Sequence, residues 1–127
     1  MPDHFTIEEA RKTLREILPW IEEVMTIRDA ILRLQPENWP LVQSTAGNGG
    51  SPEASRLVKD FDRLDRLVHR IQATGAILKD IDRGLLDFPA FRNGREVYLC
   101  WMYGEQDLAF WHEVEAGFAG RQPLSSF

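Results

Sequence analysis

The sequence predicts an α+β fold, with a long antiparallel helical hairpin over about residues 6–80 followed by a three-stranded antiparallel β-meander and a C-terminal loop over about 84–123. Three observations predict it. Apolar residues in the first half recur at alternating steps of three and four, the period of one helix face. The second half turns aromatic and β-branched. Asn93-Gly94 and Gly104-Glu105 cut that half into runs of strand length.

The first helix opens on Thr6 and Glu9, a capping-box spacing in which the hydroxyl takes a backbone N–H and the carboxylate reaches back. Ile7, Ala10, Leu14, Ile17, Ile21, Val24 and Ile31 then form a narrow stripe, with Arg28 at the one seam position that breaks it. Pro19 removes one backbone hydrogen bond, which predicts a kink or break near Ile17. The helix should stop before Pro36, with Trp39 and Pro40 in the connection, and Gly47 to Gly50 form a flexible loop. Ser51-Pro52-Glu53 signals the next helix: an N-cap serine, proline at the first helical position and an acid in the first turn. Its stripe runs Ala54, Leu57, Phe61, Leu64, Val68, Ile71 and Leu78, with Gly75 in the seam. Two thin helices bury little alone, so the leftover stripe predicts a homodimer through the helices.

If both turn signals are two-residue turns, the register follows. Leu86 faces Trp101 and Leu108, Phe88 faces Leu99 and Phe110, and Ala90 faces Val97 and His112, all on the side the helices cover. The outer side then carries Asp87 across from Cys100, Tyr98 across from Trp111, and Glu96 across from Glu113. Opposed like charges on a sheet are destabilising by roughly 0.2–1 kcal/mol, so a cation should sit nearby.

Length and charge bound the function. A chain of 127 residues makes one domain, 1–127. With 15 basic against 20 acidic residues it is net negative, which excludes sequence-independent nucleic-acid binding. MPDHFTIEE has no apolar signal core and no stretch reaches bilayer length, so neither secretion nor membrane insertion is expected. The single Cys100 cannot form an internal disulfide, in keeping with a cytoplasmic protein.

Three strings, KDIDRGLLDFP, GREVYLCW and WHEVEAGFAGRQP, between Lys79 and Pro123, resemble an uncharacterised bacterial family, domain-of-unknown-function family 2203. FTIEEARKTLREILP extends the likeness toward the start. The resemblance implies no activity, substrate or catalytic residue.

The candidate sites lie on the sheet. Glu96, Glu113 and His112, with Asp87, have donor types that suit Zn, Mn or Mg, yet in the register above His112 points away from both glutamates. The competing expectation is structural: Arg121, or Arg95 at the strand end, neutralises the acid pair. Cys100 is a buried strand cysteine, since Asp87 opposite raises its pKa and weakens it as a nucleophile. Gly117 to Arg121 is either an anion loop or a turn that returns the C-terminal tail along the sheet with Phe118 as a plug. Asp80 and Asp82 should close the second helix and shape the turn with Arg83, and His4 and His69 belong to the surface.

No GxSxG elbow, phosphate loop or nucleophile–base pair is present. The function predicted is therefore a non-enzymatic protein-interaction or small-ligand-binding module with Tyr98, Trp111, Glu96 and Glu113 on its outer face, and no cofactor. The alternative is a small hydrolase-like enzyme with a divalent metal at the carboxylate and histidine residues.

Overall fold

The computed structural model describes residues 4–34 and 52–127. The stop before Pro36, the Trp39-Pro40 connection, the Gly47 to Gly50 loop and the Ser51 cap lie outside the described residues. Among the described residues two helices, α1 (Ile7–Leu34) and α2 (Pro52–Gln72), precede an antiparallel sheet of five strands in consecutive order: β1 (Ile77–Asp80), β2 (Leu85–Arg92), β3 (Arg95–Met102), β4 (Phe110–Glu113) and β5 (Gln122–Pro123). The α+β class holds, with five strands where the turn signals predict three.

The capping box forms: the Glu9 N–H donates to Thr6 Oγ1 at 3.0 Å and the Thr6 N–H donates to Glu9 Oε1 at 2.9 Å. Helix α1 then runs through Pro19 as one element of 28 residues. Pro19 itself is exposed, on the side away from the core. The expected break at Ile17 is absent because Ile17 and Ile21, two residues to either side of Pro19, are fully buried and hold the helix against the core.

Helix α2 is shorter than its apolar stripe suggests. Thr74 and Gly75 bond back to Ile71 and Gln72, Gly75 takes φ 101°, and the chain leaves the helix there. Leu78 is thus a residue of β1, paired with Leu86, and Asp80 ends that strand. Asp80 and Asp82 shape the β1–β2 turn as expected, the Asp82 N–H donating to Asp80 Oδ1 at 2.9 Å and Arg83 Nε to Asp80 Oδ2 at 2.9 Å. They do not close the helix.

Contacts between the helices step in opposite directions along the two: Trp20 lies under Arg70, Glu23 pairs with Arg63 at 2.7 Å, and Ile31 packs with Leu57. Their inner faces meet one face of the sheet. Ala10, Leu14, Ile17, Ile21, Val24, Leu64, Leu67 and Ile71 pack against Leu86, Phe88, Ala90, Val97, Leu99 and Trp101. Among the described residues no helix is long and apolar enough to cross a membrane.

The β2–β3 hairpin matches expectation residue for residue, with Leu86↔Trp101, Phe88↔Leu99 and Ala90↔Val97. Asn93 (φ 54°) and Gly94 (φ 78°) both take the left-handed backbone that a two-residue type I′ turn requires. The next connection does not match. Residues 103–109 form a loop, and β4 pairs as Val97↔Glu113, Tyr98↔His112, Leu99↔Trp111 and Cys100↔Phe110. This is one residue off the predicted register, so every β4 side chain changes face.

The C-terminal segment returns along β4. A 3-10 turn at Phe118–Gly120 leads into β5, which pairs Phe110↔Pro123 and Trp111↔Gln122.

Candidate functional site

The slip of β4 decides what shares a face. Trp111, predicted on the outer surface, is 2% exposed on the helix side of the sheet. There the Phe127 ring meets it edge-on at 5.7 Å and the Arg92 guanidinium lies 4.7 Å from its centre. His112, predicted on the core face beside Ala90 and Val97, sits instead across from Tyr98, with ring centroids 5.5 Å apart. It thereby joins Asp87 and Cys100 on the face away from the helices.

Asp87, Cys100 and His112 come from three neighbouring strands and are all buried, at 2%, 0% and 3% exposure. Their potential ligand atoms lie within 4.8 Å of one another. Asp87 and His112 are the two buried polar residues among those described, and they face each other, His112 Nε2 lying 3.1 Å from Asp87 Oδ1. The other ring nitrogen, Nδ1, lies 2.7 Å from the backbone carbonyl of Glu113, to which its N–H donates. Nδ1–H is thus occupied by the carbonyl, and Nε2 is turned toward Asp87. Burial, and then the Asp87 carboxylate, push the Cys100 thiol up to about 12, with Arg121 opposing them weakly. A thiol this hard to ionise is not the nucleophile of an armed Cys-His-Asp triad; the cluster sets it beside the imidazole and the Asp87 carboxyl.

The remaining candidates separate. Glu96 and Glu113 do not oppose each other, because Glu113 stands across from Val97 on the helix side and Glu96 across from Phe91 on the other. Glu113 takes both arms of Arg95, at 2.7 and 3.0 Å, but with the two acids parted there is no acid pair for an arginine to neutralise. Glu96 meets His4 at 2.7 Å. Arg121 does not reach the glutamates. It donates to Glu105 Oε2 at 2.6 Å and lies over the rings of Phe110 (3.9 Å) and Phe118 (4.6 Å), so the GFAGR segment is the tail-returning turn with its arginine already paired. Tyr98 is half-buried under Lys79, whose Nζ is 5.2 Å from the ring. His69 is exposed.

A second feature escapes sequence reasoning. The segment before α1 lies along β2, with the Phe5 N–H donating to the Pro89 carbonyl at 2.7 Å and the His4 ring stacked on Phe91 at 4.0 Å. Between this segment, the end of β2 and the C-terminus opens a hollow of about 600 Å³, lined by Phe5, Ile7, Glu8, Phe91 and Phe127 among others. Nothing in the spacing of HFTIEE signals that it lies along a strand so distant in sequence. For His112 a signal did exist, since a register that sends Trp111 to the core is the better burial choice.

Fold and cluster together define an α+β domain in which a pair of helices covers one face of a five-stranded antiparallel meander and a buried Asp-Cys-His group lies under the other. The model of the family described as "Uncharacterized conserved protein (DUF2203)" matches residues 3–124, and the chain belongs to that family. No curated protein and no solved structure matches it.

Proposed function

We propose that residues 1–127 act as one non-enzymatic small-ligand-binding unit, its two helices forming a hairpin and its site the hollow at the start of α1. One observation carries this: Phe91 is 56% exposed at the edge of a hollow walled by Phe5, Ile7 and Phe127. Ligand sites are typically apolar concavities of about 300–1,000 Å³ with a few polar groups at the rim.

The rim chemistry narrows the ligand. Thr6 and Glu9 satisfy each other's backbone amides at the helix start, so those donors are not offered to an anion. Glu8 stands at the rim, and Phe91, stacked on one side by the His4 ring, is still 56% exposed. An apolar body bearing a positive charge fits best. Titration of isotope-labelled protein with phenethylamine, against phenylacetate as its anionic counterpart, tests this. Amide shifts at Ile7, Phe91 and Phe127 with the amine, lost in Phe91→Ser, are expected. No shift at these residues, or an unchanged response in the variant, would overturn it.

We also propose self-association, by a different surface from that predicted. The helix stripes are spent on the sheet and, at Ile31 and Leu57, on each other, and the exposed large apolar residues among those described, Phe91, Tyr103 and Val114, lie at the sheet's ends. Light scattering at micromolar concentration should give a dimer mass that Phe91→Ser and Val114→Ser reduce. A monomer mass for the unaltered chain sinks the proposal.

A further inference from the structure

We propose that Asp87, Cys100 and His112 form a binding site for a divalent zinc-class metal ion, held by Asp87 Oδ1, Cys100 Sγ and His112 Nε2. The site shares no residue with the hollow and stands independently of it.

Each ligand sits on a separate strand, β2, β3 and β4; Asp87 and Cys100 have a paired strand on both sides, and His112 is paired with Tyr98 on one. The direct cross-strand pair Asp87↔Cys100 and the diagonal from Cys100 to His112 bring the three donor atoms within 4.8 Å of one another. Bonds of about 2.0–2.3 Å around a tetrahedral zinc ion put its ligand atoms roughly 3.3–3.8 Å apart, so small side-chain rotations suffice. The Asp87–His112 edge, at 3.1 Å, is already close to that spacing.

The imidazole is oriented as metal-binding histidines usually are. Nδ1–H is anchored on a backbone carbonyl at 2.7 Å, which leaves Nε2 as the ligand atom. Charge also balances. A carboxylate and a thiolate carry two negative charges, which a divalent ion cancels inside a buried site. On binding, the Cys100 S–H bond breaks, a sulfur–metal bond forms and the proton leaves to solvent, with no oxidant or reductant involved. A sulfur, nitrogen and oxygen donor set selects zinc-like ions over magnesium or calcium. Among the described residues no fourth histidine, cysteine or acid joins the cluster, so the fourth position falls to water or an exogenous ligand.

The experiment uses tag-free, chelator-treated full-length protein titrated with cobalt(II) and then zinc. Expected are one equivalent of cobalt, a thiolate-to-cobalt charge-transfer band with the visible bands of a tetrahedral ion, and displacement by zinc. Cys100→Ser, nearly isosteric, should abolish the charge-transfer band and weaken zinc binding at least tenfold, while circular dichroism reports that it folds. His112→Gln provides a second variant, expected to weaken binding comparably. Wild-type protein with no charge-transfer band and no zinc-dependent rise in melting temperature would leave the cluster a purely hydrogen-bonded structural pair and overturn the proposal. Zinc binding of equal strength in wild type and Cys100→Ser would overturn it as well, by placing the ion elsewhere.

Discussion

The two turns that flank β3 carry similar signals in the sequence and behave differently in the fold. Asn93-Gly94 supplies two consecutive left-handed residues and closes a two-residue hairpin. Gly104, at φ 101°, supplies one, and Glu105 beside it does not follow. Residues 103–109 open with one backbone turn, the Glu105 N–H donating to the Met102 carbonyl at 3.0 Å, and are otherwise held by side chains. The Met102 N–H donates to Glu105 Oε1 at 2.7 Å, Trp101 Nε1 donates to the Glu105 carbonyl at 3.1 Å, and Arg11 donates to the Leu108 carbonyl at 2.9 Å. A hairpin closed by backbone geometry fixes register locally. A loop closed by side chains lets burial choose the register, and burial places Trp111 inside. His112 then necessarily joins Asp87 and Cys100.

The largest effect should come from Trp111→Ala. In the observed register it empties a site that is 2% exposed and should lower stability by ~3–5 kcal/mol in denaturant unfolding. On the outer surface the same change would cost within about 0.5 kcal/mol.

Next is the anchor of the side-chain-closed loop. Arg121→Ala removes a partner of Glu105 in a pair whose side chains are 11% and 21% exposed, and should cost roughly 1–3 kcal/mol by thermal melting. Glu105→Ala should cost more than Arg121→Ala, since Glu105 also accepts from Met102.

Insertion of one glycine separates the turns directly. After Gly94 it breaks the type I′ geometry and should cost on the order of 1–2 kcal/mol. After Gln106 it lengthens an existing loop and should cost a few tenths. Equal costs would mean that the two turns are built alike.

The smallest effect belongs to the β1–β2 turn. Arg83 holds the Asp80 carboxyl below its ordinary 3.8, with burial working against it. A depressed carboxyl stabilises the fold above 3.8 and loses that contribution as pH falls through its lower native value. The pair is largely solvated, so about 0–1 kcal/mol is at stake. Carbon-detected titration should place Asp80 below 3.8 and show its pKa rising in Arg83→Ala.

The legible parts of the fold are those set by local chemistry. Thr6 and Glu9 announce the helix start, the stripe from Ala10 to Ile31 announces the core face, and Asn93-Gly94 announces the hairpin with its register. What was illegible depends on long-range choice. Leu78 fits a helical seam and a strand equally, and only the exit at Gly75 decides between them. β5 has two residues and pairs only because the GFAGR turn brings it back. Of the candidate residues, those on β4 changed face and those on β2 and β3 did not: Asp87 and His112 meet, while Glu96 and Glu113 part toward His4 and Arg95. Cys100 was legible as buried, but not as a neighbour of His112, because a single residue of loop length reverses the parity of β4.

The register of β4 is the central claim, and it is tested most directly by nuclear Overhauser contacts from the His112 ring in labelled protein. The structure predicts contacts from its ring protons to the Cys100 β-protons and the Tyr98 ring. Contacts to the methyl groups of Val97 and Ala90 instead would restore the register of a two-residue turn at Gly104-Glu105, return Trp111 to the surface and dissolve the Asp87–Cys100–His112 cluster.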